Sequence, residues 1–202
     1  MAIQLINGSA FIENALAWRL TAIEGRLGSG KTLLSVALAK WLYDQSLVDG
    51  VFANFPIDPT YIPIRSEIRR SAVILDEGWA FADSRNSSKK FEGYGAYARK
   101  LDSFWFSPSV FRVDKRMGPL RARRLLDLWL FDVWLFEWED VQGFKGKFLL
   151  RNYKEVYGRY DTKFIPYDDG GIKEQMLDEI KHSAGSTSRL FVVNQSKVET
   201  VR

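Results

Sequence analysis

The residues with the plainest chemistry form one run, Gly25-Arg26-Leu27-Gly28-Ser29-Gly30-Lys31-Thr32, which meets every fixed position of the pattern G-x-x-x-x-G-K-[ST]. Glycines at Gly25, Gly28 and Gly30 let a backbone wrap so that successive N–H groups, Ser29 included, converge on a phosphate. The positive end of a following helix adds to that attraction. Lys31 then meets the β- and γ-phosphates of a nucleotide, and Thr32 offers a hydroxyl to Mg²⁺. A second run, Val73-Ile74-Leu75-Asp76-Glu77, ends an apolar stretch in two acids. Asp76 is the expected metal carboxylate beside Thr32, and Glu77 the group that polarises an attacking water. The implied ligands are ATP and Mg²⁺. A glycine turn before an ordinary helix, and a solvated strand end, are the plainer readings of the two runs.

Hydrolysis also calls for a cation to neutralise charge moving onto the leaving oxygen. Arg85, Arg99 and Arg116 are the expected suppliers, to the same chain or a neighbouring one. Between Arg112 and Arg124 the chain is strongly basic. Arg112, Lys115, Arg121, Arg123 and Arg124 are therefore candidate phosphate contacts for a nucleic acid, with a merely wet, charged face as the alternative. His182, the one histidine, falls in an expected tail and is assigned no acid–base role.

These residues need elements to hold them. Residues 17–24 read as a short strand running into the glycine loop, and 31–43 carry apolar residues at helical spacing without Gly or Pro. Further strands are expected at 50–54, at 71–76 as a run buried on both faces, and at 103–106. A polar loop covers 83–90, and 91–100 reads as a short helix. The very apolar segment Leu125–Trp138 interrupts itself with Asp127, Asp132 and Glu137. It reads as a buried strand pair or as an aromatic surface closed by another subunit. Turn-rich strands follow, then a short amphipathic helix near 172–180. The fold class is α/β: a three-layer P-loop NTPase with a mainly parallel sheet and aromatic-rich β additions in the C-terminal third. Residues 1–182 form one domain and 183–202 a flexible or docking tail.

Composition sets the outer limits. The chain has 202 residues, 46% hydrophobic and 27% charged, which suits one soluble globular domain. A net charge of +4 permits a polyanionic partner without requiring one. With no cysteine, disulfides, thiolate zinc sites and thiol catalysis are excluded. No run reaches the ~18 apolar residues of a spanning helix, and the first twenty residues do not have the pattern of a signal peptide. No membrane span is expected.

In order along the chain stand the phosphate loop, Asn54-Phe-Pro-Ile57, Ile74-Leu-Asp-Glu-Gly-Trp79, Asp83-Ser-Arg85, Ala98-Arg-Lys100 and Val113-Asp-Lys-Arg116. Over about residues 18–120 this order resembles the FtsK/HerA group of P-loop ATPases. Within it the pattern is most similar to Zot-like assembly proteins of filamentous phages and to packaging ATPases of tailless icosahedral, often membrane-containing, viruses. The resemblance implies a homo-oligomeric ring, commonly a hexamer, that hydrolyses ATP to move DNA. It also implies a viral capsid or membrane-vertex protein as docking partner, and a place in the host cytoplasm or on the virion. Arg99 or Arg116 would reach the adjacent protomer. Ser107 stands where the group generally has a glutamine, a departure from the pattern. Three rival functions are a Zot-like ATPase acting on coat proteins, a small-molecule P-loop kinase using 83–90 as a lid, and a nucleotide-binding scaffold without turnover.

Overall fold

The computed structural model describes residues 2–76, 97–110 and 118–161. The chain divides into two units, Met1–Gly170 and Gly171–Arg202. The first holds every described residue; the expected tail boundary, the helix near 172–180 and the loop at 83–90 lie outside them.

Short strand β1 (Gln4–Ile6) leads into helix α1 (Ser9–Trp18), then strand β2 (Leu20–Glu24), the glycine loop and helix α2 (Lys31–Asp44). Strands β3 (Gly50–Ala53), β4 (Ser71–Ile74) and β5 (Phe104–Ser109) follow. Long strands β6 (Leu120–Leu128), β7 (Val133–Asp140) and β8 (Lys145–Arg151) complete the set. They make one eight-stranded sheet in the order β1-β8-β7-β6-β2-β5-β4-β3. From β3 to β6 neighbours run parallel; from β6 to β1 they run antiparallel. The sheet is therefore mixed rather than mainly parallel, because the aromatic third of the chain adds hairpins to one side of the parallel block.

Helix α1 replaces the beginning of the expected 17–24 strand. Arg19 takes a left-handed conformation (φ 61°), donates its N–H to the Ala15 carbonyl and turns the chain into β2. Strand β5 runs past Phe106, through Pro108, to Ser109. The Trp105 N–H points to β2, where it meets the Arg19 carbonyl, so the N–H that Pro108 lacks would face β4. The β4 ladder has already ended at Ile74–Phe106, and nothing is lost there.

The core lies between the sheet and the two helices. Phe11 of α1 stacks on Phe148 at 4.5 Å, and Phe148 on Phe136 at 5.2 Å. Leu38 and Leu42 of α2 approach the same α1 residues over Phe104 and Phe106, so α1 and α2 share one face. Burying an aromatic anchor of this kind is worth ~1.5–3 kcal/mol. Strands β4 and β5 are buried on their other face as well, as a third layer would require. On that face Trp105 donates to Ser103 at 2.8 Å, and residues 97–100 form a helical turn with Ala98 fully buried.

The apolar segment Leu125–Trp138 is not a buried strand pair: only its β7 half enters the core, while Leu125, Leu126 and Leu128 of β6 stay exposed. Strand β7 alternates, placing Trp134, Phe136 and Trp138 in the core. The turn between β6 and β7 leaves Trp129, Leu130 and Phe131 exposed, Leu130 at 81%. Among the described residues no helix is long and apolar enough to cross a membrane.

Candidate nucleotide site

Strand β2 sits inside the parallel block and delivers the glycine loop at its C-terminal end, directly before α2. Gly30 ends the loop in a left-handed conformation (φ 82°) that only glycine adopts freely. The loop closes on itself through the Ser29 N–H to the Arg26 carbonyl at 3.1 Å. A side chain at Gly25 would start 2.4 Å from the Ser29 hydroxyl, so the wrap needs glycine there as well. The Lys31 ammonium, almost wholly buried, folds back to the Arg26 carbonyl at 3.1 Å.

Three features of the loop ask for an anion. No side chain caps the N-terminus of α2, no acid stands in its first turn, and the Ser29 hydroxyl is buried without a hydrogen-bond partner. Unpaired donors at a helix start carry partial positive charge, so a phosphate fits the donor set.

The acid expected beside the loop is there. The Thr32 hydroxyl donates to an Asp76 carboxylate oxygen at 2.9 Å, joining positions 44 apart in the chain. The intervening strand β5 abuts the loop too, since its Ser109 carbonyl accepts the Gly25 N–H at 3.2 Å. Ser107 is buried in β5 in register with Ala22, below the loop rather than at its mouth.

Asn54 is a residue of this candidate site that pattern reading missed. It follows β3, and its amide clamps the backbone of Asp76 from both sides: Nδ2 donates to the Asp76 carbonyl at 3.0 Å, and Oδ1 accepts the Asp76 N–H at 2.9 Å. Asn54 stood only as the first letter of a motif, and the signal that could have found it is an amide placed just past a short strand. Tyr160 also comes near. It bridges Ile57 across the backbone, meets Phe55 edge-on at 6.0 Å, and is pushed up to about 12 by burial and then by the Asp76 charge.

The hairpin β6–β7 braces the loop from the other side. A Cβ at Gly30 would lie 2.3 Å from the Trp134 ring. That ring stacks on Tyr153 at 4.1 Å and carries the Arg124 guanidinium at 4.5 Å.

The predicted cations are distributed unevenly. Arg99 is exposed in the turn before β5, at the end of the parallel strands away from the loop, and is not brought together with Lys31 and Thr32. Arg121 is buried and faces Glu139, Arg123 bonds to Glu137, and Arg124 lies 3.3 Å from Asp127. The last three cations are thus each matched to an acid instead of standing free on a wet face. Glu77, Arg85, Arg112, Lys115 and Arg116 lie outside the described residues.

In comparisons with known proteins, the chain matches no protein-family model and no curated protein.

Proposed function

We propose that the protein binds ATP with Mg²⁺ at the loop Gly25–Thr32 and hydrolyses it, as a P-loop NTPase. The Thr32–Asp76 hydrogen bond carries this reading, because a hydroxyl and a carboxylate from distant parts of the chain meet where a triphosphate's metal would sit. The backbone N–H groups of Gly28 to Lys31 take the β-phosphate, and Lys31 leaves the Arg26 carbonyl for the β- and γ-oxygens. Thr32 and Asp76 hold Mg²⁺, which when bound neutralises charge between those oxygens. Asn54 keeps Asp76 at the loop, and Glu77 orients the attacking water.

The motif order that resembles the FtsK/HerA group favours a DNA translocase of viral genome packaging or virion assembly. A ring of several copies is favoured by the exposed turn Trp129–Phe131 together with Leu27, which the loop leaves 86% exposed. Large apolar side chains left exposed together, as in the Trp129–Phe131 turn, commonly mark contacts. A second reading, an assembly ATPase that moves coat protein, gains support from the pairing of Arg121, Arg123 and Arg124 with acids, which leaves this tract little free charge for DNA.

The test is phosphate release with Mg·ATP, with and without DNA, for the wild type, Lys31→Ala and Asp76→Asn. Release in the wild type that drops at least ~100-fold in both variants is expected, since each removes a charged contact made in the transition state. Stimulation by DNA selects the translocase; turnover indifferent to DNA selects the coat-protein reading. No nucleotide binding by the wild type would overturn both.

A further inference from the structure

Away from α1 and α2, the outer face of β6, β7 and β8 carries an ordered array of charge. Leu120 and Ala122 point to the helix-side core, so Arg121 and Arg123 point the other way. The same alternation sends Glu137 outward between the buried Phe136 and Trp138, Glu139 outward between Trp138 and the buried Asp140, and Lys145 and Lys147 outward beside Phe148. Register then lines them up. Arg121, Glu139 and Lys145 form one cross-strand row, and Arg123, Glu137 and Lys147 the next.

Each row holds two cations to one anion. The floor of a cleft of about 770 Å³ is made by these rows, and its rim by Glu24 and Arg26 at the entry to the glycine loop. Lys145, Lys147 and Arg26 are exposed and have no ion-pair partner among the described residues. Counting Glu24 and Arg26 as one charge of each sign, the described lining residues leave the cleft with an excess of two positive charges.

Arg121 adds a directional feature. It is only 7% exposed, yet lines the cleft. Its Nη2 sits 3.5 Å from a Glu139 carboxylate oxygen and is buried without a hydrogen bond among the described residues. The guanidinium thus keeps a donor without a hydrogen bond in the wall of the cleft.

We propose that this cleft is a second anion site, distinct from the Gly25–Thr32 loop, that takes phosphate groups. Either a free phosphorylated small molecule of charge near −2 or two successive phosphodiesters of a nucleic-acid strand match its excess charge. Arg121 would supply the fixed donor, and Lys145 and Lys147 the screened attraction. The site does not depend on nucleotide binding at the loop, although an occupant would touch Gly25 and Arg26 from the face opposite α2.

The test uses the full chain without nucleotide in about 0.1 M salt, where pairwise attraction still reaches roughly 10 Å. One probe is a labelled single-stranded oligonucleotide of about 20 residues, longer than the ~4–16 nucleotides a single-strand site spans. The other is inorganic pyrophosphate. Lys145→Glu with Lys147→Glu changes two exposed side chains, which avoids the folding risk of Arg121→Met. Oligonucleotide affinity is expected to fall at least tenfold in the double variant. Its log–log salt slope should shrink by about 1.4, two contacts at ~0.7 each. Lys31→Ala should bind as the wild type does. Pyrophosphate is measured in Lys31→Ala, where the glycine loop no longer competes for it: binding that is lost on adding Lys145→Glu and Lys147→Glu, without oligonucleotide binding, identifies the small-molecule source. The proposal is overturned if these two changes leave binding of both probes as it was, if neither probe binds without them, or if Lys31→Ala alone abolishes oligonucleotide binding.

Discussion

The indole of Trp134 rests on Gly30, so closely that a Cβ on the glycine would fall 2.3 Å from the ring. Strand β7 thereby fixes the last residue of a loop that begins more than a hundred positions earlier. Gly30 has two reasons to be glycine, a left-handed φ of 82° and this contact. Gly30→Ala is expected to cost roughly 1–3 kcal/mol from overpacking, with further strain at the positive φ. Combining it with Trp134→Leu should relieve the contact but not the backbone term. Thermal unfolding of the single and double variants, with a fluorescent ATP analogue as a second readout, separates the two contributions.

Asn54→Ala removes both hydrogen bonds to the Asp76 backbone and leaves a half-buried N–H and carbonyl to find new partners. A loss of about 1–3 kcal/mol in stability is expected, set by the cost of an unmade buried hydrogen bond. The more telling readout is Mg²⁺ dependence. If Asn54 positions Asp76, the variant needs more Mg²⁺ to bind the ATP analogue while its metal-free affinity stays near the wild-type value. Equal losses with and without Mg²⁺ would reduce Asn54 to a purely structural residue.

Replacing Trp129, Leu130 and Phe131 together by serine alters side chains that make little of the core. Folding stability should therefore change by no more than about 0.5 kcal/mol for each exposed position. Self-association should fall if this turn meets a neighbouring copy. Sedimentation velocity across a protein dilution series decides it: an unchanged distribution of species would remove the turn from any assembly contact.

Alkaline pH supplies a test of the Tyr160–Asp76 neighbourhood. Burial, and then the Asp76 charge, push the Tyr160 hydroxyl from its usual 10.0 up to about 12. Tyr153 is also pushed up to about 12, by burial and by the hydrogen bond it donates to Asp127. A raised folded-state value means that the fold favours the protonated ring. Its contribution is complete below pH 10 and is lost as the pH rises from about 10 to about 12. Stability should decline across that window, and tyrosine absorbance should show a late-titrating group. In Asp76→Asn the Tyr160 titration is expected to move only part of the way back, because burial remains.

The glycine loop, the helix behind it and the acid-ended strand were legible because each is local. Loop glycines, a run without helix breakers and a continuous apolar stretch act on neighbouring residues, and α2 and β4 form close to where the pattern sets them. The strand expected at 103–106 runs on through Pro108 to Ser109, although a proline normally breaks a strand. Only the early end of the neighbouring β4 makes it harmless. Helix α1 was not legible; it is held by Phe11 against Phe148, a contact across most of the chain.

The basic tract shows the same division most clearly. Composition puts Arg121, Arg123 and Arg124 in a cationic run, and nothing nearby in sequence cancels the first two. The β6–β7 register does, by setting Glu139 and Glu137 opposite them, and the β7–β8 register then adds Lys145 and Lys147 from about twenty positions further along the chain. Sequence by itself determined the residue pattern of the loop, since that consists of residue types at fixed short spacing. What holds Asp76 beside Thr32, and where positive charge is left over among the described residues, were decided only by tertiary structure, because strand pairing and loop contacts set distances between residues that the chain keeps far apart.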